Sequence, residues 1–213
     1  MTVIWIASVD GGTALVKRLA EQGNGTPCYE EVAANPFAAR DSPSGLHYLC
    51  TALLLQDRAF RKAVSVAGCQ AQRPVRRKIA PPPVSLEASS RPFVLCDFHP
   101  SKSLIEAEYL LPNHEQREAV RSLYRLLRIP EPDLAVYLRA ASDVIASRLR
   151  RQDMGEVDTA VIERACQAHD AFFRRYKGEK VELDTTSFDY VDDSQALASI
   201  LKEVPFLYRR SSS

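Results

Sequence analysis

Val3-Ile4-Trp5-Ile6-Ala7-Ser8-Val9 runs directly into Asp10-Gly11-Gly12-Thr13-Ala14-Leu15-Val16-Lys17-Arg18-Leu19-Ala20-Glu21. The first stretch is a continuous apolar run, the pattern of a strand buried on both faces. The second opens on a glycine turn and continues at helical spacing. Strand, tight glycine turn and helix in that order are the layout of a phosphate-binding loop. Such a loop needs G-x-x-x-x-G-K-[ST], with backbone N–H groups around the phosphates, a lysine on the terminal phosphates and a hydroxyl on magnesium. Here Gly11 and Gly12 are followed at once by Thr13 and Ala14, and no lysine appears before Lys17, a full turn into the helix. The layout is present, but shortened and disarmed.

The remaining chain alternates in the same way. A short strand is expected at 28–32, after a loop at 23–27, and a long helix at 46–67 from the spacing of Leu46, Leu49, Leu53, Leu54, Phe60 and Val64. Phe93-Val94-Leu95-Cys96 reads as a third strand ending at Asp97. Helical pattern resumes from about Leu104 and again at 114–127. A strand at 133–138 follows Ile129-Pro130-Glu131-Pro132. Helices are expected at 142–151, with Ser142 as N-cap, and at 158–176, closed by Gly178. Lys180-Val181-Glu182-Leu183-Asp184 is a fifth strand, and 194–201 a last helix. Alternation of this kind calls for an α/β fold of three layers: a parallel sheet of about five strands with helices on both faces. Ligand then sits at the carboxyl ends of the strands.

Residues 70–92 differ in character. They hold Arg73-Pro74-Val75-Arg76-Arg77-Lys78 and Pro81-Pro82-Pro83, and read as a flexible Pro-rich, basic loop. The chain is expected to be one domain over 1–213 with this loop and a short disordered C-terminal tail.

Composition narrows the partners. A chain of 213 residues with 46% hydrophobic content buries roughly 70% of its unfolded surface and needs no staples. A net charge of +1 gives no reason to expect nucleic acid or a membrane surface. No stretch approaches the ~18–20 apolar residues of a membrane span. The five cysteines are scattered without a C-x-x-C pair, which reads as free thiols in a reducing, cytoplasmic setting and gives no metal site. The N-terminal apolar run lacks a preceding basic region, so it reads as a buried strand and not as a signal peptide.

Further segments fall in a recognisable order: Tyr29-Glu-Glu-Val-Ala-Ala-Asn-Pro-Phe37, Cys96-Asp-Phe98, Pro132-Asp-Leu-Ala-Val-Tyr-Leu-Arg-Ala-Ala-Ser142, Ser147-Arg-Leu-Arg-Arg151, Ala171-Phe-Phe-Arg-Arg-Tyr176 and Val181-Glu-Leu-Asp-Thr185. Together with the first strand and helix they resemble the bacterial deoxynucleoside kinase family, within the wider thymidylate-kinase-like group, over nearly the whole chain. The resemblance implies ATP and Mg²⁺ as cofactors, a deoxynucleoside or nucleotide as ligand, and a dimer packed through helices.

It also implies site residues. Glu30 matches the strand-end general base that takes the proton of the nucleoside 5′-hydroxyl, a sound role for a carboxylate within hydrogen-bond reach. Asp97 matches an acidic residue at the end of the third strand; Phe98 stands where an Arg or Tyr often follows. Lys102 matches a lysine of one bacterial branch, and Ser103 falls where an Asp helps hold the base. Thr51 falls at the base-reading Gln when Arg58 is matched to the family's arginine, and threonine lacks the paired donor and acceptor of an amide. Arg148, Arg150 and Arg151 match an arginine-rich lid that clamps phosphates, and Glu156 its sugar-contacting acid. Gly11, Gly12 and Thr13 are what remains of the loop. On the residues alone, the favoured readings are a turn-capping carboxylate for Glu30 and a solvated helix end suited to the helix dipole for the arginines.

Loss of one preorganised charge-stabilising donor typically costs about 2.7–4 kcal/mol, or roughly 10²–10³ in rate. The leading expectation is therefore a pseudokinase, binding a nucleoside or nucleotide, or acting as a subunit in a homodimer or in a heterodimer with an active paralogue. Two alternatives stand beside it. One is an active kinase whose phosphate site is rebuilt with Lys17, Lys102 or an arginine. The other is an interaction module docking through 70–92.

Overall fold

The structure, a computed structural model, describes residues 1–10, 12–22, 25–37, 45–71, 93–151 and 158–187. Residues 72–92 of the loop expected at 70–92, the helix at 194–201, the C-terminal tail, Gly11 and Glu156 lie outside the described residues.

Five strands form one parallel sheet: β1 (Thr2–Ala7), β2 (Gly25–Cys28), β3 (Phe93–Cys96), β4 (Leu134–Arg139) and β5 (Lys180–Asp184), in the order β2-β3-β1-β4-β5. β1 pairs with β3 on one side and β4 on the other, which accounts for its unbroken apolar sequence. Asp133 locks the start of the β1–β4 pair, its Oδ2 accepting from Val3 N at 2.7 Å and its N–H donating to Val3 O at 2.9 Å.

The helices are α1 (Thr13–Gln22), α2 (Gly45–Ala71), α3 (Ser101–Leu110), α4 (His114–Leu127), α5 (Ser142–Arg151) and α6 (Thr159–Arg175). Alternate side chains of β1 divide the core into layers. Ile4 and Ile6 pack with Leu15, Val16 and Leu19 of α1 on one face. On the other, Val3 joins Leu53 and Phe60 of α2, while Trp5 and Ala7 join Ile105 of α3 and Phe173 of α6. The expected three-layer α/β architecture is the observed one.

Four boundaries differ instructively. The second strand is Gly25–Cys28 and not 28–32, because Gly25, Thr26 and Pro27 pair with Phe93, Val94 and Leu95. Pro27 is tolerated since β2 is an edge strand. Gly25 is required by close approach: a Cβ there would lie 2.4 Å from the Phe93 ring. The strand therefore stops earlier, and Glu30 stands beyond its end. Similarly, α3 begins at Ser101, three residues before Leu104, because Pro100 sits at its N-cap, where the missing N–H has no cost. That shift places Lys102 in the first turn of α3. At the other end of the scale, α2 runs on to Ala71, so residues 70 and 71 are helix. Ser142 is the first helical residue of α5, one position inside its expected cap role.

The Trp5 ring lies 5.0 Å from His99 and 5.3 Å from Phe173, and Phe173 stacks on Tyr137 at 4.3 Å. Truncation of Trp5 to Ala is expected to cost about 3–5 kcal/mol, read as a lower urea midpoint at unchanged slope. Burial also pushes His99 and His169 down to about 4. A histidine pKa depressed in the fold stabilises above its unfolded value of 6.5, and that stability is lost as pH falls through 4. The unfolding midpoint should drop between pH 6.5 and 4, and His99→Gln with His169→Gln should shrink the drop.

Candidate functional site

The polar residues gather where a parallel sheet places its ligands, at the carboxyl ends of the strands. Asp97 follows β3 and bridges two neighbours. Its Oδ2 accepts from Thr13 Oγ1 at the start of α1 at 2.6 Å, and its Oδ1 from the backbone N–H of Glu30 at 2.9 Å. Burial raises the Asp97 pKa, and these two hydrogen bonds oppose the rise. A single carboxylate thus fixes the segment after β2 and the start of α1 to the end of β3.

Glu30 is held from two helices. Gln56 of α2 donates its Nε2–H to Glu30 Oε1 at 2.6 Å, and Lys102 of α3 forms an ion pair with Oε2. Gln56 is fully buried and its Oε1 accepts from Ser103 Oγ at 3.2 Å. Lys102 also faces Glu106, one turn along α3, at 3.8 Å. Burial opposes the charge of Lys102, but the Glu106 and Glu30 carboxylates outweigh it and raise its pKa. Glu106 is pushed up to about 7, chiefly by burial, with Lys102 pulling the other way. Its Oε2 has no hydrogen-bond partner among the described residues. The cavity beside Glu30, bounded by Val32, Asn35, Tyr48, Ala52 and Leu55, measures about 10 Å³, room for one water at most. A roomier cleft of about 330 Å³ lies beyond β4 and β5, where Arg139, Cys166, Asp170 and Thr186 contribute to its walls.

A second cluster sits under the loop after β1. Arg148 of α5 is a buried cation, with side chains of Arg148 and Asp10 each 4% exposed. Its Nη1 donates to Asp10 Oδ2 at 3.1 Å and to Thr185 Oγ1 at 3.2 Å, and its Nη2 to Thr185 O at 2.6 Å. Thr185, fully buried after β5, donates its N–H and hydroxyl to Arg139 O at the end of β4. The guanidinium therefore joins the ends of β1, β4 and β5.

The residues singled out in the sequence separate into groups. Glu30, Asp97, Thr13, Lys102 and Ser103 come together. Arg148 lies in the other cluster, turned into the protein. Arg150 and Arg151 are exposed on the last turn of α5, and Arg58 is exposed on α2. Thr51 is half-buried on α2 and does not line the Glu30 cavity. Lys17 is exposed on α1. Gly12 is buried, and a Cβ there would meet Ile6 Cγ2 at 2.9 Å, so the loop backbone lies directly on β1.

Gln56, Glu106, Asp10 and Thr185 were missed as site residues. Gln56 had a signal. It occupies the buried seam Leu49, Leu53, Gln56, Phe60, Ala63 and Ala67, and an amide in an apolar stripe must find a buried partner. Arg148 similarly follows Ile145 and Ala146 on the buried face of α5. Asp10 and Thr185 carried none, because their partners are remote in sequence.

The residues present do not fit the triphosphate of ATP·Mg²⁺. The loop lacks its lysine, and the buried arginine beside it already holds a carboxylate of the same loop. Thr13 and Asp97 have the chemistry of magnesium ligands, in a chain whose loop after β1 carries no lysine.

No protein-family model and no curated protein matches this chain. Solved structures do. Deoxyadenosine kinase from M. mycoides with bound dATP superposes with a TM-score of 0.67 at 12% identity, covering 96% of this chain and 100% of that one. The same enzyme with dCMP and a flexible dCDP as products gives 0.66 at 12% identity, over 94% and 97%. With bound dCTP it gives 0.64 at 11%, over 95% and 97%. The chain has a deoxynucleoside-kinase-like P-loop fold. No described helix is long and apolar enough to cross a membrane.

The Glu106 carboxyl supplies a test of the buried network. Its folded pKa, raised from 4.5 to about 7, means stability present below 4.5 is lost as pH rises through 7, on the order of 3 kcal/mol. Glu106→Gln should remove that slope, giving a variant that melts higher than the wild type at pH 8 and loses this advantage below pH 5.

Proposed function

We propose that this protein is a pseudokinase of deoxynucleoside kinase type: it keeps the polar cluster that would meet a nucleoside hydroxyl and lacks the means to hold and transfer an ATP phosphate. One observation carries the reading. The buried cation nearest the phosphate loop, Arg148, is paired to Asp10 of that loop, in a chain that has no loop lysine.

The nucleoside side supports ligand binding better than the phosphate side. Glu30 is oriented by Gln56 and Lys102, and each carboxylate oxygen retains lone-pair capacity for a ligand hydroxyl. A nucleoside fits only if the segment carrying Val32 and Asn35 moves away from α2, because the present cavity is of water size. The likeness to deoxyadenosine kinase structures that bind dATP, dCTP and dCMP supports a deoxynucleoside or its nucleotide as the ligand class. A rebuilt phosphate site draws little support. Lys102 is engaged by Glu30 and Glu106, and Lys17 points to solvent. A dimer, with itself or with an active paralogue, remains the assembly that the family resemblance implies, and a cytoplasmic setting the one that its cysteines imply.

Calorimetric titration of purified protein with ATP·Mg²⁺ and a panel of deoxynucleosides tests the reading. The expected result is heat from at least one deoxynucleoside, none from ATP·Mg²⁺, and no phosphorylated product. Glu30→Ala should weaken the nucleoside about 10–100-fold, as loss of a charge-assisted hydrogen bond does. Phosphorylation of any deoxynucleoside overturns the pseudokinase reading, and silence with every ligand overturns the binding one.

A further inference from the structure

The clasp under the loop after β1 has the chemistry of an anion site with its anion built in. Arg148 is buried, and such a guanidinium needs a compensating negative charge. It reaches out of α5 toward the carboxyl ends of β5 and β1, held on its far side by Thr185 Oγ1 and Thr185 O. Thr185 is itself fixed to Arg139 O, so the fork arrives at the loop already oriented. α1 begins at Thr13, three residues along the chain from Asp10, with Val16 N–H closing the first turn on Gly12 O at 2.9 Å. A helix start carries partial positive charge. The Asp10 carboxylate closes the Arg148 fork, 3.1 Å from Nη1 and nearly inaccessible to water.

We propose that Asp10 is a tethered substitute for a phosphate group: its carboxylate fills an anion site formed by Arg148, which Thr185 orients, and so closes that site to nucleotide phosphates. This rests on the reading of the loop as a disarmed phosphate loop and adds the device that disarms it. Loss of the lysine alone would weaken a phosphate site. A carboxylate in the site repels a phosphate and also occupies its space. A strut that merely ties β1 to β5 would use the same ion pair, but it would have no affinity for phosphate once the carboxylate was gone.

Thermal unfolding of full-length Asp10→Ala and Asp10→Asn in inorganic phosphate, against acetate and chloride at matched ionic strength, separates the two. Both variants should melt below the wild type in chloride. Phosphate should then raise their midpoints in a saturable way, by about 3–6 °C at tenfold excess over its Kd, and leave the wild type at its chloride value. Asp10→Ala with Arg148→Ala should show no such rise. The proposal is overturned if phosphate stabilises wild type and variants alike, or if acetate restores the variants and phosphate does not. It is equally overturned if folded variants ignore phosphate, or if both remain unfolded with and without it, since an anion able to replace the carboxylate would restore the fold. Because no nucleoside or ATP enters this experiment, its failure leaves nucleoside binding at Glu30 standing, and turnover by the wild type would be seen separately.

Discussion

A strand hydrogen-bonded along both edges and covered on both faces can present polar groups only at its ends. β1 is such a strand, and the rest of the molecule is arranged around that constraint. Its neighbours β3 and β4 are parallel to it, so their carboxyl ends arrive at the same edge of the sheet. Asp97 therefore meets the start of α1 and Glu30 beyond β2, and Asp10 and Thr185 beyond β5 meet through Arg148. Charges collected at a half-buried edge must be paired or expelled, and the chain pairs them.

The pairing produces two clusters with different chemical prospects. Around Glu30, one lysine faces two carboxylates, Glu30 and Glu106, and a buried amide completes the contacts of the first. The two carboxylates raise the pKa of Lys102 against the effect of burial, and burial pushes Glu106 up to about 7. That is an arrangement with acceptor capacity left over, suited to a donor such as a hydroxyl. Around Arg148 the cation is buried against the Asp10 carboxylate, with a threonine on the far side. A kinase needs the reverse: spare positive charge next to the loop to receive a polyphosphate. The proposal of binding without transfer rests on the contrast between the two clusters as well as on the missing lysine.

Much of the fold was legible in the chain because its signals are local. The apolar run of β1, the stripe of α2, the exact bounds of the helix at 114–127 and of the strand at 180–184 all follow from periodicity and caps. The second strand was not, since Gly25 and Pro27 read as loop until an edge position and the Phe93 ring explain them. Of the site, Glu30, Asp97 and Lys102 were legible through the order of motifs. Gln56 was only half visible, as an amide in an apolar seam. The direction in which Arg148 points was invisible, because an arginine in a run of three near a helix end looks like a solvated lid.

The sequence by itself determined the alternation of strands and helices, the burial of β1 and the absence of a loop lysine. Each of these is a property of a short window of residues. Tertiary structure alone decided which charges meet. Asp10 and Arg148 are 138 residues apart, and Glu30 and Lys102 are 72 apart. Whether such pairs form depends on strand order and on helix placement over the sheet. Strand order carries no local signature, and it is what brings Asp10, after β1, against Arg148 of α5.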